Sequence, residues 1–317
     1  VQPGVPGPGE YGRGVRARSN WGRWGADDEI GTANFITPET IVQAARLVKQ
    51  GQVLSLAIPL NPRTPTDPSR PPMQHFVRSA RLRVADHGWP GESEFADDWI
   101  SMSPQTGTQW DGLCHAFREG RIYNGYDAGQ AINPHVGARK CSIDRLATYF
   151  VTRGVLLDIA KHKGVGNLPG GFAVTAGDLE GAARAQGVEV RRGDALLIRT
   201  GWLAFWNRAT AKERESFYDV APGLGMSAAE WLHAREVACI GVDNVAVEVK
   251  PAEDGKTMLP LHPVLIRDLG LTIGELFWLE DLAAACAAEG RYEFLFVGQP
   301  LRISGGLGSP INPLAIR

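Results

Sequence analysis

The chain has 317 residues, of which 44% are hydrophobic and 21% charged, so it has the makings of a packed core and is not wholly disordered. Its 33 Lys and Arg against 35 Asp and Glu leave a formal net charge of −2, which excludes a basic footprint for nucleic acid or an anionic membrane surface. No run reaches the ~18 consecutive apolar residues that a membrane helix needs.

Residues 1–20 are rich in Gly, Pro and Arg without apolar periodicity, and read as an arm, flexible or docked on another subunit. Residues 21–317 read as one domain. Thr37, Pro38 and Glu39 open a helix whose stripe runs through Ile41, Val42, Ala45, Leu47 and Val48 to a stop at Gly51. Strands are expected over 53–59 and 76–84, separated by a proline-rich loop over 61–72 of the length that often carries function. Beyond residue 150 strands and helices alternate. A buried strand is expected over 154–160, then a capping box at Thr175 and Asp178 with a helix to Gly187. Further strands follow over 195–200 and 237–242, with a second capping box at Ser227 and Glu230 between them. A strand over 271–277, an Ala-rich helix to Gly290, and strands over 292–297 and 310–316 complete the pattern. This is an α/β chain with a strand-rich first half.

Cys114, Cys141, Cys239 and Cys286 form no C-x-x-C pair, which rules out a zinc ribbon or thioredoxin-type site and favours buried thiols. With no secretory pattern at Val1-Gln2-Pro3-Gly4, a cytoplasmic location is expected. No G-x-S-x-G elbow occurs, and the Gly305-Gly-Leu-Gly308 run lacks the strand–turn–helix setting of a phosphate loop.

The chemistry concentrates in Gln105-Thr-Gly107-Thr-Gln109-Trp-Asp111-Gly-Leu-Cys-His115. Gln109 and Asp111 share a face in extended chain, and His115 converges on them if the chain turns at Gly112. These oxygens and nitrogens suit one ion; read alone, they suit equally a turn whose side chains satisfy backbone groups. Glu275 stands in an apolar run, where a carboxylate is costly unless paired or metal-bound.

This segment resembles the signature of the cyclase superfamily, H-x-G-T-H-x-D-x-P-x-H, whose members include kynurenine formamidase, isatin hydrolase and trans-dienelactone hydrolase. The chain keeps Gly107, Thr108, Asp111 and His115, but carries Gln105 and Gln109 at the first two histidine positions and Leu113 for the proline. The stretches from Trp24 to Gly31 and Asn34 to Glu39, Arg153 to Asp158, Thr200 to Trp202, His262 and Glu275 stand in the family's order. The resemblance implies a swivelling β/β/α fold and a hydrolase of a small cyclic amide, lactone or aryl formamide. The family's two-metal members would hold a first ion at positions 105, 109 and 111; with glutamines there, one divalent ion, Mn²⁺ or Zn²⁺, is expected on Asp111, His115, His262 and Glu275, and the resemblance implies a homodimer or homotetramer. His115 or Glu275 is the expected general base. Gln105 and Gln109, too weak as zinc donors, are expected to bind substrate, together with Trp110 and His75. The double Gln keeps open a second reading, a member that binds a small ligand without hydrolysis.

Overall fold

The apolar runs around Leu156, Leu197, Ile240 and Ile273 are too continuous for a one-sided sheet, and they lie at its centre as parallel strands covered on both faces. The computed structural model describes residues 19–317. Among these, nine strands form the large sheet: β1 (Val53–Ser55), β2 (Gln109–Asp111), β3 (Val151–Asp158), β4 (Ala195–Arg199), β5 (Cys239–Val242), β6 (Thr272–Glu275), β7 (Glu293–Val297), β8 (Gly308–Pro310) and β9 (Leu314–Ile316). Their order is β1-β9-β7-β3-β4-β5-β6-β2-β8. The run β3-β4-β5-β6 is parallel, and antiparallel strands flank it on both sides. Residues 311–313 join β8 at one end of the order to β9 near the other, a span of at most ~15 Å at 3.8 Å per residue. The sheet is therefore curled, in an α/β fold.

Alternation along the strands divides the core. Val155, Leu157, Leu196, Ile198, Ile240 and Ile273 face the helices Ala176–Gln186 and Ser227–Arg235. Leu156, Leu197, Cys239, Phe294 and Phe296 face the helix Glu280–Glu289. Each Leu or Ile buried in this way is worth ~1.5–3 kcal/mol, so both layers are held chiefly by apolar burial.

Several expected boundaries shift for local reasons. The first helix, Pro38–Ala45, is capped by Thr37 but paired with Thr40, and ends before Leu47. The strand expected over 154–160 stops at Asp158, whose carboxylate accepts from Lys161 N at 2.9 Å and starts a helical turn. Thr175 and Asp178 form the expected capping box. Ser227 does not: it sits inside its helix, and its Oγ accepts from Ala176 N at 3.1 Å, so it caps the neighbouring helix instead. The strand expected over 310–316 is two strands, because the prolines at 310 and 313 lack the N–H that a continuous ladder uses.

Residues 1–18 of the expected arm lie outside the described residues. Ser19 and Asn20 are docked, Asn20 through bonds of 2.9 Å from its backbone N to Asp268 O and from its side chain to Leu269 O. The acidic run that follows ties down this segment. Asp28 accepts from Tyr123 Oη at 2.7 Å, and Glu29 from Lys140 Nζ at 3.0 Å and Cys141 N at 2.9 Å. All four cysteines are free and buried. Among the described residues no helix is long and apolar enough to cross a membrane.

Candidate metal centre

β2 and β6 run antiparallel side by side, with Gln109 opposite Glu275 and Trp110 opposite Gly274. The two-residue period of a strand then sends Gln109, Asp111 and Glu275 to one face and Trp110 to the other. Gly107, at φ +69°, turns the chain into β2, and Thr108 locks it there by donating from Oγ1 to Leu276 O at 2.6 Å. Beyond Asp111 the chain turns at Gly112, whose O accepts from His115 N at 2.9 Å, and His115 swings back toward the strand.

His262 arrives from far along the chain, on the buried turn Leu261–Pro263. One ligand atom each from Asp111, His262 and Glu275 fall within 4.8 Å of one another. His262 Nε2 lies 3.6 Å from Glu275 Oε1, and His115 Nε2 lies 3.7 Å from Asp111 Oδ1. His115 stands at the edge of the trio, a quarter exposed, where the others are buried.

Glu248 completes the centre, and no sequence motif points to it. It is 1% exposed, accepts from Leu261 N and His262 N at 2.8 Å each, and meets His262 Nδ1 at 2.5 Å. That contact fixes the ring and leaves Nε2 aimed at Glu275, the arrangement that orients histidine ligands in metal sites. Burial opposes the imidazolium, but the hydrogen bonds and charges of Glu248 and Glu275 outweigh it and push the His262 pKa up to about 10. Burial holds Asp111 above the usual carboxylate range, against the pull of His115.

The donors fit a divalent ion. Among the described residues Asp111 Oδ1 and Gln109 Oε1 are buried without a hydrogen-bond partner, which an ion or its bound water would satisfy. One imidazole and two carboxylates, with a second imidazole beside them, are a donor set that zinc and manganese both accept.

The centre floors a cavity of about 320 Å³. His115, His262, Glu275 and Gln105 line it. Gln109 is 1% exposed and donates from Nε2 to Glu275 Oε2 at 3.0 Å, so it positions that carboxylate rather than reaching into the cavity. Two expected substrate contacts are corrected. Trp110 is fully buried on the opposite face, against Phe150, Phe277 and Phe296, with Nε1 bonded to Gly298 O. His75 lies on the hairpin of strands Gln74–Arg83 and Glu94–Ser101, 2.6 Å from Asp98 and away from the cavity lining. Arg70, Tyr218 and Lys250 also line the cavity and were missed, since nothing in their local sequence distinguishes them from other surface or core residues.

Comparison with known proteins follows the same lines. Residues 54–249, well over half of the chain, match the Cyclase family model, described as "Putative cyclase". The chain belongs to that family. Isatin hydrolase of Roseibium aggregatum is 27% identical over 146 residues, 46% of this chain and about half, 52%, of that protein's length. A crystal structure described as a novel cyclase superposes with a TM-score of 0.87 at 41% identity, covering 95% of this chain and 98% of the other. Isatin hydrolase A from Labrenzia aggregata, bound to benzyl benzoate, shares the fold with a TM-score of 0.59 at 20% identity, covering 87% and 97% of the two chains.

Proposed function

We propose that this chain is a metal-dependent hydrolase that opens the C–N or C–O bond at the carbonyl of a small cyclic amide, lactone or aryl formamide. The observation that carries the reading is the meeting of Asp111, His262 and Glu275 within 4.8 Å, from positions up to 164 residues apart in sequence, with His262 and Glu275 lining a cavity. Membership of the cyclase family and the likeness to isatin hydrolase support it.

Asp111, His262 and Glu275 would hold one divalent ion, Mn²⁺ or Zn²⁺. Such an ion, when bound, polarises a carbonyl oxygen and acidifies water. Glu248 keeps Nδ1 of His262 engaged, so that Nε2, turned toward Glu275, would be the ligand atom. Gln109 holds Glu275 in place through its amide. His115, beside the trio and open to the cavity, accepts the proton of the attacking water at Nε2 and returns it to the leaving nitrogen or oxygen. Gln105, on the wall, is placed to hydrogen-bond the substrate.

The test is metal analysis of the purified chain beside turnover of a panel of lactones, lactams and aryl formamides. About one equivalent of metal per chain, removed by chelator together with activity, is the expected result. A metal-free chain whose cavity still binds such compounds intact supports the second reading, a binding protein, which the glutamines at 105 and 109 favour.

A homodimer or homotetramer is part of the proposal. The two-stranded hairpin leaves Phe76, Val77, Trp99 and Ile100 between 41% and 62% exposed, and a two-stranded ribbon with apolar groups on both faces is marginal unless something covers it. A cytoplasmic location is proposed on the four free cysteines.

A further inference from the structure

Three donors with little to bind line the cavity above the metal centre. Lys250 is 7% exposed, and among the described residues its ammonium has no hydrogen bond or ion pair. Tyr218 is 9% exposed, and its Oη is a buried atom without a partner. Arg70 makes one contact from its guanidinium, 3.1 Å to Gln105 O, and pairs with no carboxylate among the described residues. A buried phenol with no partner among the described residues is costly, and the fold holds it beside an ammonium and a guanidinium that line the cavity.

The cost is built in by the backbone. Lys250 and Ala221 exchange two hydrogen bonds of 2.9 Å, which fixes Lys250 at the wall. Glu248, the residue that orients His262, lies two residues earlier in the same segment, which a second bridge ties to Leu224. Tyr218 precedes Ala221 by three residues, on the segment that this bridge anchors.

We propose that Lys250, Arg70 and Tyr218 form an anion subsite, and that the substrate carries a carboxylate beside its scissile carbonyl. This rests on the hydrolase reading for the carbonyl and stands on its own for the carboxylate. A guanidinium fork, an ammonium and a phenol O–H match the lone pairs of a planar carboxylate. Asp67, the acid of the same wall, is already engaged. Its Oδ1 accepts from Ser69 N at 2.9 Å and from Ser69 Oγ at 2.5 Å. Burial pushes Asp67 up, but its hydrogen bonds from Ser69 and the charges of Arg70 and Lys250 outweigh it, and both cations line the same cavity. Burial raises the Tyr218 phenol, which keeps its proton for donation at neutral pH. A volume of about 320 Å³ admits one aromatic ring with both groups.

The test uses the full chain loaded with manganese. N-formylanthranilate and formanilide differ only in an ortho carboxylate. The expected kcat/KM ratio favours the charged compound by about tenfold or more, the worth of one hydrogen bond to a charged group. Lys250→Met, Arg70→Gln and Tyr218→Phe each shrink that ratio severalfold; a structural defect would lower both rates alike. A ratio near one, unchanged in all three variants, overturns the subsite. Calorimetry with benzoate on the metal-free chain reads the subsite without turnover. Benzoate binding that Lys250→Met abolishes, in a chain that hydrolyses no formamide, lactam or lactone, keeps the subsite and overturns the hydrolase reading. Hydrolysis of both formamides at equal rates without benzoate binding does the reverse. Tyr218→Phe removes only a hydroxyl that has no partner, so it keeps the test open if the buried Lys250 variant fails to fold.

Discussion

The two faces of β2 differ as much as any two regions of this molecule. On one, Gln109 and Asp111 join Glu275, His262 and Glu248 in a buried cluster of charge. On the other, one residue away, Trp110 packs against Phe150 and Phe277 with ring centroids 5.3 and 5.1 Å apart. A Cβ on Gly274 would come within 2.4 Å of the Trp110 ring, so a glycine lets β6 lie flat against the indole. The polar face spends stability on unsatisfied and like-charged groups, and the aromatic face supplies the rigidity that tolerates it. The division of labour is that one face binds and the other holds.

The largest effect separates these roles. His262→Ala or Asp111→Ala should lower hydrolysis by ~10³-fold or more, since a catalytic ion contributes several kcal/mol at ~1.4 kcal/mol per decade. Metal analysis should show the ion gone from a chain that circular dichroism still reads as folded. A variant that melts early yet keeps its metal would erase the contrast between the faces.

Trp110→Ala should do the opposite. It should cost ~3–5 kcal/mol in denaturant unfolding, as large aromatic deletions in cores do, while the folded fraction still takes up metal. A smaller loss, joined to a changed substrate preference, would return Trp110 to the substrate side.

Glu248→Gln sharpens the polar face by acting through His262. Metal affinity should fall by ~10–100-fold, the usual cost of losing the carboxylate behind a histidine ligand. Competition with a chelator measures it, and an unchanged affinity would mean that the contact with His262 Nδ1 does not orient the ligand.

The last test is a pH slope in the metal-free chain. The folded pKa of His262 is about 10, above the ordinary value of 6.5, so the folded state holds the extra proton between them. Its stabilising contribution is complete below pH 6.5 and is lost as pH rises through about 10. The melting temperature should therefore fall across that range, and the slope should flatten in His262→Gln. Metal, which displaces that proton, should bind more tightly as pH rises.

Much of the polar face was legible in the chain because strand periodicity and the cost of a buried carboxylate are local facts. Asp111, His115 and Glu275 follow from that reading with the family signature beside it. Trp110 was misplaced because one-dimensional closeness to Asp111 says nothing about which face a side chain takes until the neighbouring strand is known. Ser227 was misassigned for a related reason: its hydroxyl found a donor in the next helix before one in its own. Glu248, Lys250 and Tyr218 carry no motif, and their significance is burial beside a cavity, which only packing creates.

By itself the sequence determined the α/β alternation, the buried thiols and the polar motif, since hydrophobic periodicity, cysteine spacing and turn-forming glycines act over a few residues. The tertiary structure decided that Glu275 lies opposite Gln109, that His262 turns Nε2 toward it, and that Lys250 lines the same cavity. Those outcomes depend on strand register and on loop contacts spanning more than a hundred residues. No short-range preference of the chain encodes them, because the free energy that selects them arises when distant surfaces close on one another.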